Sequence, residues 1–293
     1  MKQISANVYV EDRFSLPPGY HGCNPGFVTT SEGIVMLDTP MLPTDAVEWR
    51  DEIAKRGEVR YIINTHHHVD HITGNAFFPG TVVSHEEVKE LFTAPIARVS
   101  ASERIEEAVK ASLDIVGYIH RIIKEFDPEG LPLLEGYQFK APTITFSERL
   151  TLYVGEHTFD LIHMPGHTSG HIGVYIPQER VFFAGDNVTS KAQPSFAHSL
   201  PLEWVESLKK IEAMMDVDVV VSGHGKVCDR GGVQEFRLFI EKCIDMVREA
   251  IKQGMSKEEA ADRISFEEFY PPVHPGPEMQ RMNVLRLYEM LSK

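Results

Sequence analysis

The stretch Tyr61-Ile-Ile-Asn-Thr-His-His-His-Val-Asp-His-Ile72 sets four metal-binding side chains, His66, His68, Asp70 and His71, directly after a short apolar run. Such a run reads as a buried strand that ends where the polar residues begin. Histidines two apart at a strand end share a face, whereas Asp70 and His71 are neighbours and reach a common centre only if the backbone turns between them. The four therefore belong to a loop at the carboxyl end of a strand. Imidazole nitrogen and carboxylate oxygen are donors that zinc, iron and manganese accept, and four of them exceed what one open catalytic site needs, which points to two metals. A histidine-rich surface loop that binds metal incidentally would not carry this spacing behind a strand.

His66-x-His68-x-Asp70-His71 resembles the signature of the metallo-β-lactamase superfamily, which includes glyoxalase II, lactonases, RNase Z and other hydrolases. Upstream, Ile4 to Val10, Phe27 to Thr30 and Ile34 to Asp38 read as an antiparallel start, parted by the turn-rich segment 17–26 and by Ser31-Glu-Gly33. In the superfamily the first such loop lies near the metals, so the resemblance implies substrate contacts from Tyr20, His21 and Asn24, with turn formation as the plainer reading. Apolar positions in 43–56 predict a helix closed by Gly57, which makes an alternating strand–helix–strand unit and hangs the ligand loop from the sheet's carboxyl edge.

Downstream, Thr81 to Ser84 reads as a strand. Helical spacing then predicts helices from about 86 to 126, with a capping signal at Ser100-x-x-Glu103. With the loop 127–142 this makes a helical insertion, 86–142, expected to wall a cleft. His120 on it reads as a surface or core residue. Three further strands lead to Met164-Pro-Gly-His-Thr-Ser-Gly-His171, and the resemblance assigns His167 as the next ligand, with His171 behind it. A pair of strands around 177–179 is read as ending at Gly185-Asp186. An acid after a buried apolar strand costs desolvation free energy unless it meets a cation. In dinuclear members this position bridges both ions, a carboxylate that true β-lactamases lack, so antibiotic cleavage is not the implied activity. An amphipathic helix over 201–215 and a strand over 217–221 lead to Ser222-Gly-His-Gly225, where the family pattern assigns His224.

The resemblance covers about residues 4–227. It implies an α/β fold, the four-layer αβ/βα sandwich, with a catalytic domain over 1–230 and a helical extension over 231–293. His66, His68 and His167 would hold one divalent cation, and Asp70, His71 and His224 a second, with Asp186 bridging. Zinc is the first choice, with iron and manganese as alternatives. A metal-bridging hydroxide would then cleave a small ester, thioester, lactone or phosphodiester, with Asp70 orienting it. A mononuclear iron thiol or persulfide dioxygenase shares the first motif and stays open. A non-catalytic metal-binding module is disfavoured because no ligand is lost.

Substrate choice is expected in the least patterned segments, 15–26, 92–142 and 187–200, with His198 as an oxyanion donor. In the extension, 236–253 and 279–291 read as helices and Ser256-x-x-Glu259 as a cap. It completes the core, walls the cleft or makes a homodimer, and His274 reads as a loop residue. The chain has 293 residues and a net charge of −14 without basic runs, which argues against nucleic acid and for a small-molecule substrate. Cys23, Cys228 and Cys243 form neither zinc nor disulfide spacing. With no signal-like or membrane-spanning apolar run, the expectation is a cytoplasmic protein.

Overall fold

Strand β5, Val59–Ile63, leads into the histidine loop and lies inside a seven-stranded sheet. The computed structural model describes residues 1–15, 22–90, 119–271 and 277–292. The sheet runs in sequence order through β1 Lys2–Gln3, β2 Val8–Val10, β3 Gly26–Thr30, β4 Gly33–Leu37, β5, β6 Thr81–His85 and β7 Ile144–Phe146. A two-residue turn with Gly33 at φ +121° makes β3 and β4 antiparallel. The helix Pro43–Ala54 carries the chain back, so β4 and β5 are parallel. Its buried face, Ala46, Trp49 and Ile53, packs on Phe27, Met36 and Ile62 of the sheet. Each large apolar side chain buried there contributes about 1.5–3 kcal/mol.

A second sheet orders its strands β12-β11-β10-β9-β8, with β8 Arg149–Val154, β9 His157–His163, β10 Ile172–Ile176, β11 Val181–Thr189 and β12 Val219–His224. Here again a helix, Pro201–Glu212, joins the parallel pair β11 and β12. The chain forms two compact units, Met1–Thr158 and Phe159–Lys293. The core of the second holds Trp204 and Leu208, then Phe236, Ile240 and Val247 of the helix Arg230–Lys252, and Val284 and Leu287 of the helix Pro277–Leu291. The C-terminal helices thus complete that core. Among the described residues no helix is long and apolar enough to cross a membrane.

Three expectations need correction. The strand read over 4–10 is strand only at β2, where it pairs back on β1, because Ile4 N donates to Val8 O and turns the chain between them. Strand β11 does not stop at Ala184 but continues through Asp186 to Thr189, with register shifts against β12. The helix expected from 236 starts at Arg230, because the Asp229 side chain accepts from Gly232 N at 3.0 Å and caps it earlier. The Ser256–Glu259 capping box forms as expected. The cap at Ser100 and most of the expected insertion, 91–118, lie outside the described residues, as do Tyr20, His21 and His274. Residues 119–126 are helical and bury Ile119 and Ile123 against Leu42, with His120 exposed.

Burial, then the neighbouring carboxylates Asp127 and Glu48, push the Asp45 carboxyl up to about 6 from 3.8. A folded state that binds the proton more tightly than the unfolded one is stabilised below about pH 4, and that contribution is lost as pH rises through 6. Asp45→Asn should therefore raise Tm at pH 7 by a few degrees, roughly 2–4 °C, and change it little at pH 4. An equal rise at both values in thermal melts would refute this.

Candidate metal centre

In the first unit, β5 ends at Ile63 and residues 65–67 bend before the short helix Val69–Ile72 begins. That helix supplies the turn which the adjacency of Asp70 and His71 requires. The ring centroids of His66 lie 4.6 Å from His68 and 4.2 Å from His71, and Asp70 Oδ2 stands 3.6 Å from His71 Nε2. These four side chains therefore lie close together after the strand. His66 and His71 are fully buried, while Asp70 keeps partial exposure.

Asp38, at the end of β4, fixes how two of these rings present themselves. It sits at φ +55° and is 4% exposed. Thr65 N donates to its Oδ1 and the Thr65 hydroxyl to its Oδ2, both at 2.8 Å, and His71 Nδ1 lies 2.8 Å from Oδ2. An ionised carboxylate only accepts, so His71 carries its proton on Nδ1 and turns the Nε2 lone pair toward the cluster. The Thr65 hydroxyl spends its one proton on Asp38 and so accepts from His66 Nδ1 at 3.1 Å, which fixes the same tautomer in His66. Thr39 and Asn64 both donate to the His71 carbonyl, which holds the loop backbone. Gly74 lets it close, since a Cβ there would stand 2.3 Å from Pro40 O.

In the second unit, Gly185 at φ +50° bulges β11 ahead of Asp186. Asp186 Oδ2 lies 3.3 Å from His167 Nε2 and 3.2 Å from His224 Nε2, and all three residues are buried. Ligands about 2.0–2.1 Å from a tetrahedral zinc stand roughly 3.3 Å apart along each edge. The spacing and the nitrogen–oxygen donor set fit a divalent cation. A Cβ on Gly223 would come within 1.9 Å of Asp186 Oδ1, so only glycine leaves room for this carboxylate. Asn187 accepts from His167 N at 2.9 Å and donates to Met164 O at 2.6 Å, and Trp204 packs edge-on against the His167 ring. His171 Nε2 accepts from Asn187 N at 3.3 Å, in the supporting position the sequence suggested.

Asn24 is buried at 4% exposure. His198 is exposed on the loop after β11, and desolvation by the surrounding protein with the nearby Arg286 guanidinium holds it below the usual imidazole range. Cys23, Asp38 and His71 cluster together, and burial pushes the Cys23 thiol up to about 12, so it stays a thiol at neutral pH. Asp38, Thr65 and Asn187 were not singled out from sequence. The one local signal was Asp38 itself, an acid directly after the buried strand β4.

A family described as the metallo-beta-lactamase superfamily matches residues 18–224. Over 271 residues the chain is 26% identical to the linear primary-alkylsulfatase of Pseudomonas sp. (strain ATCC 19151), covering 84% of this chain and 49% of that protein. It is 24% identical over 189 residues to the hydroxyacylglutathione hydrolase of Erythrobacter litoralis, covering 64% and 56%. The match thus spans about half the length of these relatives. Among solved structures, a metallo-beta-lactamase family protein from Thermus thermophilus superposes with a TM-score of 0.66 at 18% identity, covering 98% of this chain and 93% of that one. These likenesses carry the fold class expected from the sequence.

Replacing Asp38 with Asn leaves the shape and removes the charge that orients His71. Metal affinity should fall about 10–100-fold, as loss of such an outer partner does elsewhere. Competition with a chromogenic chelator measures it, and unchanged affinity would remove Asp38 from the account.

Proposed function

The chain belongs to the metallo-β-lactamase superfamily, and from that premise we propose that it is a metal-dependent hydrolase of small, uncharged or singly charged esters. Seven side chains would hold two divalent cations, zinc first. His66, His68 and His167 serve one, Asp70, His71 and His224 the other, and Asp186 both. The observation that carries this reading is the Asp186 carboxylate, one oxygen of which stands at ligand–ligand distance from two imidazole nitrogens. A buried acid in that setting is stabilised by positive charge held between the donors.

Bound cations would supply Lewis acidity and bring the pKa of water to about 7. The chain's own residues supply orientation. Asp38 and Thr65 hold His71 and His66 in the tautomer with Nε2 turned inward, and Asn187 fixes the backbone of His167. Asp70, less buried than His66 and His71, would orient the attacking water while it holds the second cation. No catalytic serine or cysteine is needed. The named relatives act on an alkyl sulfate and an acylglutathione, which adds sulfate esters to the thioesters, carboxylic esters, lactones and phosphodiesters expected from sequence. The charge of −14 disfavours polyanionic substrates among these.

The test is a panel of these substrates on zinc-, manganese- and iron-loaded protein, with oxygen uptake followed on glutathione persulfide. Turnover of at least one ester class is expected. Oxygen uptake by the iron form without ester cleavage by any form would replace hydrolysis with dioxygenation. Metal analysis should give about two ions per chain, and Asp186→Ala should lower that count and cut turnover at least ~100-fold. A count near one, unchanged by the substitution, would sink the bridged pair.

A further inference from the structure

The loop 190–200 leaves β11 and hangs between two ligand-bearing segments of the second unit. Ser190 N donates to the His224 carbonyl at 2.9 Å, and Leu200 N donates to the carbonyl of Gly166, next to His167, at 2.8 Å. Between those points the loop forms no helix or strand of its own, so its shape depends on groups from elsewhere.

One buried side chain of the C-terminal helix supplies most of them. Asn283, 0% exposed, accepts from Phe196 N through Oδ1 at 2.7 Å. Its Nδ2 donates to Pro194 O and to Gln193 Oε1, both at 2.9 Å. Arg286, three residues on along the same helix face, donates from Nε and a terminal nitrogen to Ser199 O at 3.3 and 3.0 Å. Gln193 N reaches Pro271 O, just ahead of that helix, at 2.7 Å. His198 is therefore bracketed by anchored residues, Phe196 before it and Ser199 after it. His198 itself is exposed. Asparagine is a poor helix former, and two buried positions beside it on this helix, Val284 and Leu287, are apolar, while the third, Gln280, bonds Phe266 and Ile264 instead. At 283 the helix keeps an amide whose bonds all go to the loop.

We propose that Asn283, with Arg286 beside it, is a positioning residue that fixes His198 for contact with substrate, so that the C-terminal helix governs substrate binding without touching a metal ligand. This rests on the hydrolase reading above.

The test is a double-mutant cycle on the metal-loaded full chain. Asn283→Ala and His198→Ala should each raise KM about tenfold with kcat nearly unchanged and metal content intact, and the double variant should match His198→Ala within about twofold. Hydrogen exchange of the amides at 196 and 199 should quicken about tenfold in Asn283→Ala, with the rest of the chain unaltered. Should Asn283→Ala not fold, Arg286→Met, at a half-exposed position, replaces it in the same cycle with the same expectation of non-additivity. Losses that multiply, metal lost together with activity, or unchanged exchange at 196 and 199 would each overturn the proposal. If the wild type turns over no substrate, the hydrolase reading fails, and with it the role in substrate binding, while the exchange rates still decide whether Asn283 holds the loop.

Discussion

Two carboxylates, Asp38 directly after β4 and Asp186 in the irregular part of β11, are each 4% exposed, and much of the surrounding chemistry follows from having to keep them there. Removing an ionised carboxylate from water costs several kcal/mol even after relaxation, a large share of the roughly 5–15 kcal/mol that holds a domain folded. Asp38 is compensated inside the protein by an amide, a hydroxyl and an imidazole at 2.8 Å each. Asp186 faces two imidazole nitrogens, and its need for positive charge is what a cation satisfies. One acid is satisfied by the protein alone and the other is the ligand proposed above, and the difference lies in which neighbours each is given.

Each unit reaches this arrangement by the same local construction. In the first, β4, a helix and the parallel β5 bring Asp38 from one strand end beside the histidine loop of the next. In the second, β11, a helix and the parallel β12 bring Asp186 beside His224. Parallel neighbours with a helix crossover align their carboxyl ends, so an acid on the first strand and a histidine on the second become neighbours without proximity in sequence. Glycine then decides how closely they approach, as at Gly223, where any Cβ would displace Asp186.

That construction also explains what the sequence disclosed. Ligand types behind apolar runs were legible because strand burial and metal preference are both local properties of the stretch. The polar residues Asp186, Asn187 and Thr189 concealed the second half of β11, which stays paired to β12 through irregular register. Likewise Gly231 and Gly232 disguised the start of a helix that Asp229 caps, since glycine is scored as a breaker whatever its neighbours offer. The supporting groups Thr65 and Asn187 stayed hidden because their partners lie 27 and 20 residues away, beyond any periodicity a sequence window reveals.

Ligand orientation and the placement of the loop beside the ligands use separate residues. Asp38, Thr65 and Asn187 determine where ring nitrogens point, and the bonds through which they do so stay outside the loop between residues 191 and 199. That loop takes its shape from Asn283, Arg286 and the packing of Phe196 on Trp204 and Phe266. Side chains that share no partner vary nearly independently in their energetic effects. A chain built this way can change which molecule it admits through its last helix while the donors of both strand ends stay as they are. Trp204 limits that independence, because its ring packs against both His167 and Phe196, so large changes in the loop's packing reach His167 through this indole, beside the backbone bonds at Ser190 and Leu200.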